Sequence, residues 1–325
     1  MTDHIFKSHY SEVENARDAY LYFKDLIKTK GNLITARGEA TKEVLNASVL
    51  IKNSRDFIIP VRSFNYPFGL QETFDILNEN APQTIQSDEI VKTTMGELAN
   101  PFFFGNENRQ GNSRWSLLNI RNVLRDDKFS RKAIISYGSR RPSVHYPCMT
   151  FASFIIRDDQ LHLTYETRAS GLTIAWVYDM VLFGIIHQTM LGWLREFYPE
   201  LELGGLLYKT TSMHYYCDVG EPRWTQEFDS YRYQEKPHTF DLSHKEWVQE
   251  MGVLYHYVDE YSKAVDVEDI DNGKITTKKD LLVMKPNREY FKTEFFYRWA
   301  LVLFYKNSES IRPLTVWEKC KILDL

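Results

Sequence analysis

The chain has 325 residues, 43% of them hydrophobic and 26% charged, with a formal net charge of -4. That length and composition allow one large domain or two smaller ones, each with a real core, and exclude a disordered profile. The slight negative charge offers nucleic acid no bulk attraction, so phosphate recognition must be local, which favours a nucleotide or other small phosphorylated ligand. Cys148, Cys217 and Cys320 form no CxxC pair and no zinc spacing, and are too few for a disulfide scaffold. A reducing interior is the simpler expectation. Met1–Ser8 is mixed and polar, unlike a signal peptide, and the apolar stretch Val181–Ile186 is too short to span a bilayer. The chain is expected in the cytoplasm, with no metal, membrane or nucleic-acid partner.

Residues 8 to 30 carry helix-compatible charge and aromatic spacing, and Gly31 and Gly38 punctuate the exit. Val44–Leu45 and Ser48–Ile51 look like a strand pair, and Phe57–Ile59 continues that character. Pro67 and Gly69 break the chain before Leu70–Leu77, whose apolar residues recur at helical spacing with Glu72 near the start. Asn78–Asn112 is polar and reads as a long surface excursion of the kind that covers active sites. Trp115–Leu124 is a helix candidate, and Ala133–Tyr137 a short strand. Phe151–Tyr165 reads as a hairpin turning at Asp158–Asp159, with Phe154 and Ile156 on one face and Ile155 on the other. Trp176–Leu194 is apolar nearly all round, as a central buried helix must be. Thr211–Tyr216 reads as a strand, and the final hundred residues mix helix-like segments with a turn at Asp269–Gly273. No repeat or linker asks for a second domain, so residues 1–325 are expected to form one.

Cys148 stands in Tyr146-Pro147-Cys148-Met149-Thr150, with Arg168 twenty positions later. A lone cysteine is ordinarily a small buried hydrophobe. One that shares its segment with arginines is a better candidate for a nucleophile beside an anionic substrate. The nearby cations are Arg131, Lys132, Arg140, Arg141 and Arg168; a solvated surface suits Arg140–Arg141 equally well. Arg131–Lys132 abuts the apolar strand, and the planar fork of Arg168 suits a pair of phosphate oxygens. Asp179 interrupts an apolar run and needs a donor from protein or ligand, unless it is simply a helix N-cap. Glu72 is an exposed helix residue by default and an acid/base group if its face lines a cavity. His214 and Tyr216 are two apart on a strand and point the same way, so together they suit a sugar hydroxyl, or merely a structural pair. No GxGxxG follows a strand and no Walker-type GxxxxGK[ST] occurs.

Taken together, Ser130-Arg131-Lys132, Pro147-Cys148, Arg168, Asp179 and His214-Tyr215-Tyr216 resemble the thymidylate synthase family. The resemblance covers roughly the middle half of the chain and hardly reaches the termini. It implies an α/β (α+β) fold, a large mixed sheet with flanking helices, its face packed in a homodimer. Cys148 is then the nucleophile, Arg168 a phosphate ligand, Asp179 the residue that reads the pyrimidine, and His214 and Tyr216 the sugar holders. Glu72 matches the family glutamate in weaker register. Arg131 and Lys132 occupy the places of two arginines that reach the phosphate from the partner subunit. Ala175 and Ser170 are implied as pocket or specificity positions. The co-substrate implied is 5,10-methylenetetrahydrofolate.

Several positions depart from the family pattern. Met149 follows Cys148 where the family has His, Ala175 replaces Gly, Lys132 replaces Arg, and Gly171 replaces Asp. The closing Trp317–Leu325 does not match the usual small apolar tail. Most telling, Asp179 replaces the Asn that reads uracil. A carboxyl group accepts from the exocyclic amine of cytosine and, when protonated, donates to ring N3; an ionised one repels a uracil carbonyl. The pattern is therefore similar to the cytidylate hydroxymethylases within the family. That resemblance implies addition of Cys148 to C6, attack of C5 on the one-carbon unit, loss of tetrahydrofolate, and addition of water to the exocyclic methylene. The rebuilt sugar and phosphate positions lean towards CMP over dCMP. Two other readings compete: a thymidylate synthase acting on dUMP, and a non-catalytic nucleotide-binding protein.

Overall fold

The computed structural model describes residues 7–36, 38–59, 69–70, 73–74, 77, 117–136, 148–173, 175–217, 239–268 and 286–307, the last residues of the two C-terminal helices by backbone alone. Strands β1 (His9–Val13), β2 (Asn32–Ala36), β3 (Glu39–Ile51), β4 (Ile134–Ser136), β5 (Met149–Arg157), β6 (Gln160–Thr167), β7 (Ser170–Gly171) and β8 (Glu202–Tyr216) form one mixed sheet. Its order is β1-β3-β8-β6-β5-β4, with β2 also on β3 and β7 also on β8. Strands β6 and β8 run parallel, whereas β3 and β5 run antiparallel to their neighbours β8 and β6. The helices are α1 (Ala16–Lys30), α2 (Leu117–Asp126), α3 (Trp176–Arg195), α4 (His244–Glu268) and α5 (Glu294–Asn307). The fold is thus mixed α/β, a large sheet flanked by helices.

Helix α3 is the centre of the molecule. Eighteen of its twenty residues are buried, and it touches β6, β8, α2 and α4. Two glycines permit that enclosure. A Cβ on Gly184 would stand 2.6 Å from the Phe57 ring, and one on Gly192 would stand 2.4 Å from the Leu242 carbonyl oxygen. The expected hairpin is present, with Arg157 opposite Gln160. Its turn residues Asp158 and Asp159 have φ of 51° and 55°, the left-handed pair that a two-residue turn requires and aspartate tolerates. Phe154 and Ile156 are buried and Ile155 is only half-buried, as the alternation requires.

Four boundaries differ from expectation. The helix anticipated from residue 8 begins at Ala16, after Asn15 caps it by accepting from the Asp18 amide at 3.0 Å. His9–Val13 alternates in exposure and pairs in parallel with Ala47–Ile51, so it is a strand. Val44–Ile51 belongs to one continuous strand, not a pair, and Phe57–Ile59 leaves the sheet to pack Phe57 against α3. The strand expected at Thr211 already starts at Glu202. Leu70, Phe74 and Leu77 are helical and buried, matching their spacing. The Asn78–Asn112 excursion and the Asp269–Gly273 turn lie outside the described residues.

Asn46, with φ of 52°, marks an irregularity that matters for the site. Up to it, β8 buries Leu206, Tyr208 and Thr210; beyond it, the buried residues are Met213 and Tyr215. The opposite strand changes phase at the same place, burying Val49 and Ala47 and then Val44. Both strands therefore exchange faces together, which leaves His214 and Tyr216 half-buried.

Candidate active site

Pairing in the sheet gathers most of the singled-out residues at one end. The Cys148 carbonyl accepts from the Arg168 amide at 2.8 Å, just before β5 and just after β6. A register irregularity between Met149 and Phe151 bends β5 at that point. Two residues beyond Arg168, β7 begins and sets Ser170 opposite Met213 and Gly171 opposite His214. The His214 carbonyl accepts from the Leu172 amide at 2.8 Å, and the Gly171 carbonyl from the Ala175 amide at 2.9 Å. The chain then enters α3, so Asp179 lies in the first turn of the helix over the same sheet end. His214 and Tyr216 stack edge to face, their ring centroids 5.3 Å apart. Cys148, Arg168, Ser170, Asp179, His214 and Tyr216 thus share one end of the fold.

Asp179 is not an N-cap. Ala175 holds that position without a side-chain capping bond, and Asp179 stands four residues inside the helix, 7% exposed. Its partners come from the sheet. Tyr165, on β6, hydrogen-bonds the carboxyl group, and Ser170 lies beside it. Burial raises the Asp179 carboxyl to about 7, against the downward pull of Tyr165 and Ser170. The Ser170 hydroxyl is buried, has no hydrogen bond of ordinary geometry, and also neighbours Tyr208. Burial and the nearby Asp179 push the Tyr208 hydroxyl well above its ordinary value, and Thr167 contacts it at 2.9 Å. Tyr165 stacks on Phe183 of α3 with centroids 3.8 Å apart. The arrangement is a carboxyl group seated among hydroxyls at a helix start, able to donate or accept near neutral pH.

Arg131 and Lys132 are placed elsewhere. They are exposed residues before β4, which pairs antiparallel with β5 from Ile134 opposite Ser153 to Ser136 opposite Phe151 and so runs towards the Cys148 end, with the two cations before its far end. Their neighbour Lys128 pairs with Asp159 at the hairpin tip, at the opposite end of β5 and β6 from Cys148. One chain does not bring these cations to Cys148. Glu72, Arg140 and Arg141 lie outside the described residues. Among the described residues no cluster of His, Cys, Asp and Glu suits a metal ion, and no helix is long and apolar enough to cross a membrane.

Tyr165, Tyr208 and Thr167 escaped the sequence reading. The need for a donor to Asp179 was visible, but its source lies on strands distant in sequence, and only Tyr165 and Thr167 shared a readable alternation. Compared with protein-family models and with curated proteins, the chain matches none of them.

Proposed function

We propose that the chain is a cytidylate 5-hydroxymethylase of thymidylate synthase type, taking CMP ahead of dCMP. The observation that carries this reading is Asp179: a buried carboxyl group, held by Tyr165, at the sheet end that also bears Cys148, Arg168 and His214. A protonated carboxyl group donates to cytosine N3 and accepts from the amine, so the pair is bidentate. Cys148 adds to C6 of the pyrimidine, which makes C5 nucleophilic. Arg168 takes the phosphate, and His214 with Tyr216 takes the sugar. Glu72 orders water for proton transfer, as the resemblance implies, and Ala175 and Ser170 shape the pocket.

5,10-Methylenetetrahydrofolate supplies the one-carbon unit. Gly171 stands where the family has an aspartate and presents no side chain to a pteridine, so no residue is assigned to that co-substrate. Arg131 and Lys132 enter from the second copy of a homodimer working in the cytoplasm. Their position away from Cys148 in one chain favours a contribution in trans.

The test is tritium release from C5 of labelled CMP, dCMP and dUMP, with analysis of the product. Release from a cytidylate with a hydroxymethyl product, lost in Cys148→Ala, is expected. Release from dUMP alone returns the chain to an ordinary synthase, and no release from any nucleotide leaves a binding protein.

A further inference from the structure

Behind His214 stand two residues that no motif marks. Glu43, on β3, lies directly opposite His214 in the pairing with β8. The Ser212 hydroxyl donates to Glu43 Oε2 at 2.6 Å, and its oxygen lies 3.5 Å from His214 Nδ1. The shorter contact fixes the direction of the Ser212 hydroxyl. A hydroxyl has one hydrogen to give, and a carboxylate can only accept it. The Ser212 hydrogen therefore points at Glu43, and only lone pairs on the Ser212 oxygen face the ring. A neutral ring that meets those lone pairs does so through Nδ1–H, and its Nε2 is then an acceptor. The ring has little freedom to turn away, with Tyr216 edge-on at 5.3 Å and the His214 carbonyl bound to the Leu172 amide.

We propose that Glu43 and Ser212 are positioning residues that lock His214 in the Nδ1–H tautomer, so that Nε2 receives a hydrogen bond from a pentose hydroxyl. This rests on the reading of His214 as a sugar-holding residue. An acceptor at Nε2 welcomes a hydroxyl and refuses an ionised phosphate oxygen, which has lone pairs but no hydrogen. The lock thus orients the nucleotide, sugar towards β8 and phosphate towards Arg168.

Nitrogen-15 NMR of the histidine rings in the full chain tests the lock without reference to activity. The expected wild-type signal has a protonated Nδ1 and a bare Nε2. Ser212→Ala shifts the ring towards Nε2–H, and Ser212→Thr, which keeps the hydroxyl, restores the wild-type pattern. Titration with CMP should then show an affinity loss of about tenfold in Ser212→Ala, the worth of one hydrogen bond, with inorganic phosphate bound as before. A wild-type ring protonated at Nε2, or one indifferent to Ser212→Ala, overturns the proposal. A tautomer that shifts while CMP affinity stays constant keeps the lock and removes the sugar role instead.

Discussion

At the scale of single residues, Asp179 dominates. Its carboxyl is raised from 3.8 to about 7 by burial, so the folded protein holds that proton more tightly than the unfolded chain does. The resulting stability is fully present only below the unfolded value of 3.8, declines as pH rises from there, and is gone once pH has passed through about 7. At about 1.4 kcal/mol per pKa unit the loss is on the order of 4 kcal/mol when the group is fully ionised. Urea denaturation between pH 5 and pH 9 should show wild-type stability declining with pH, and Asp179→Asn should remove most of the slope. An equally steep decline in the variant would place the titration on another group. The sequence made Asp179 conspicuous because an acid in an apolar run is costly. It did not reveal Tyr165 as the donor, because that contact joins a strand to a helix across the core.

Elements tell a similar story. The hairpin and the central helix were legible because each carries a strong local signal: alternation around a two-aspartate turn, and a continuous apolar run. The start of α1 was not, because His9–Val13 becomes a strand only through pairing with β3, a partner about forty residues away. Gly184 and Gly192 were likewise silent, since a glycine inside a helix reads only as a weak helix former. Their use is steric. Gly192→Ala would drive a Cβ to within 2.4 Å of the Leu242 carbonyl oxygen, a backbone atom unable to swing aside. Overpacking of that kind costs roughly 1–3 kcal/mol, so the variant should melt at a clearly lower temperature. Unchanged melting would mean that the 239–243 segment yields freely.

For the whole molecule, the layered plan is evident, while the assembly is a matter of proposal. The sheet separates Cys148 from the Arg131–Lys132 pair, a separation that linear spacing of sixteen residues does not suggest. If those cations act in trans, mixing Cys148→Ala with Arg131→Ala subunits restores about a quarter of wild-type activity, because half the dimers each regain one complete site. Mixtures no more active than either parent would confine the site to one chain.

Arg195, at the far end of α3, binds the Leu201 carbonyl at 2.7 Å, Glu202 at 2.9 Å and Asp241. That triple tether makes the helix a moored rod, not a piston. A ligand that tugs on the Asp179 end cannot slide the rod lengthwise without tearing three bonds at its root. Adjustment at that end of the fold must come from the short connections at the strand tips, and the Asp179 carboxyl stays where folding put it.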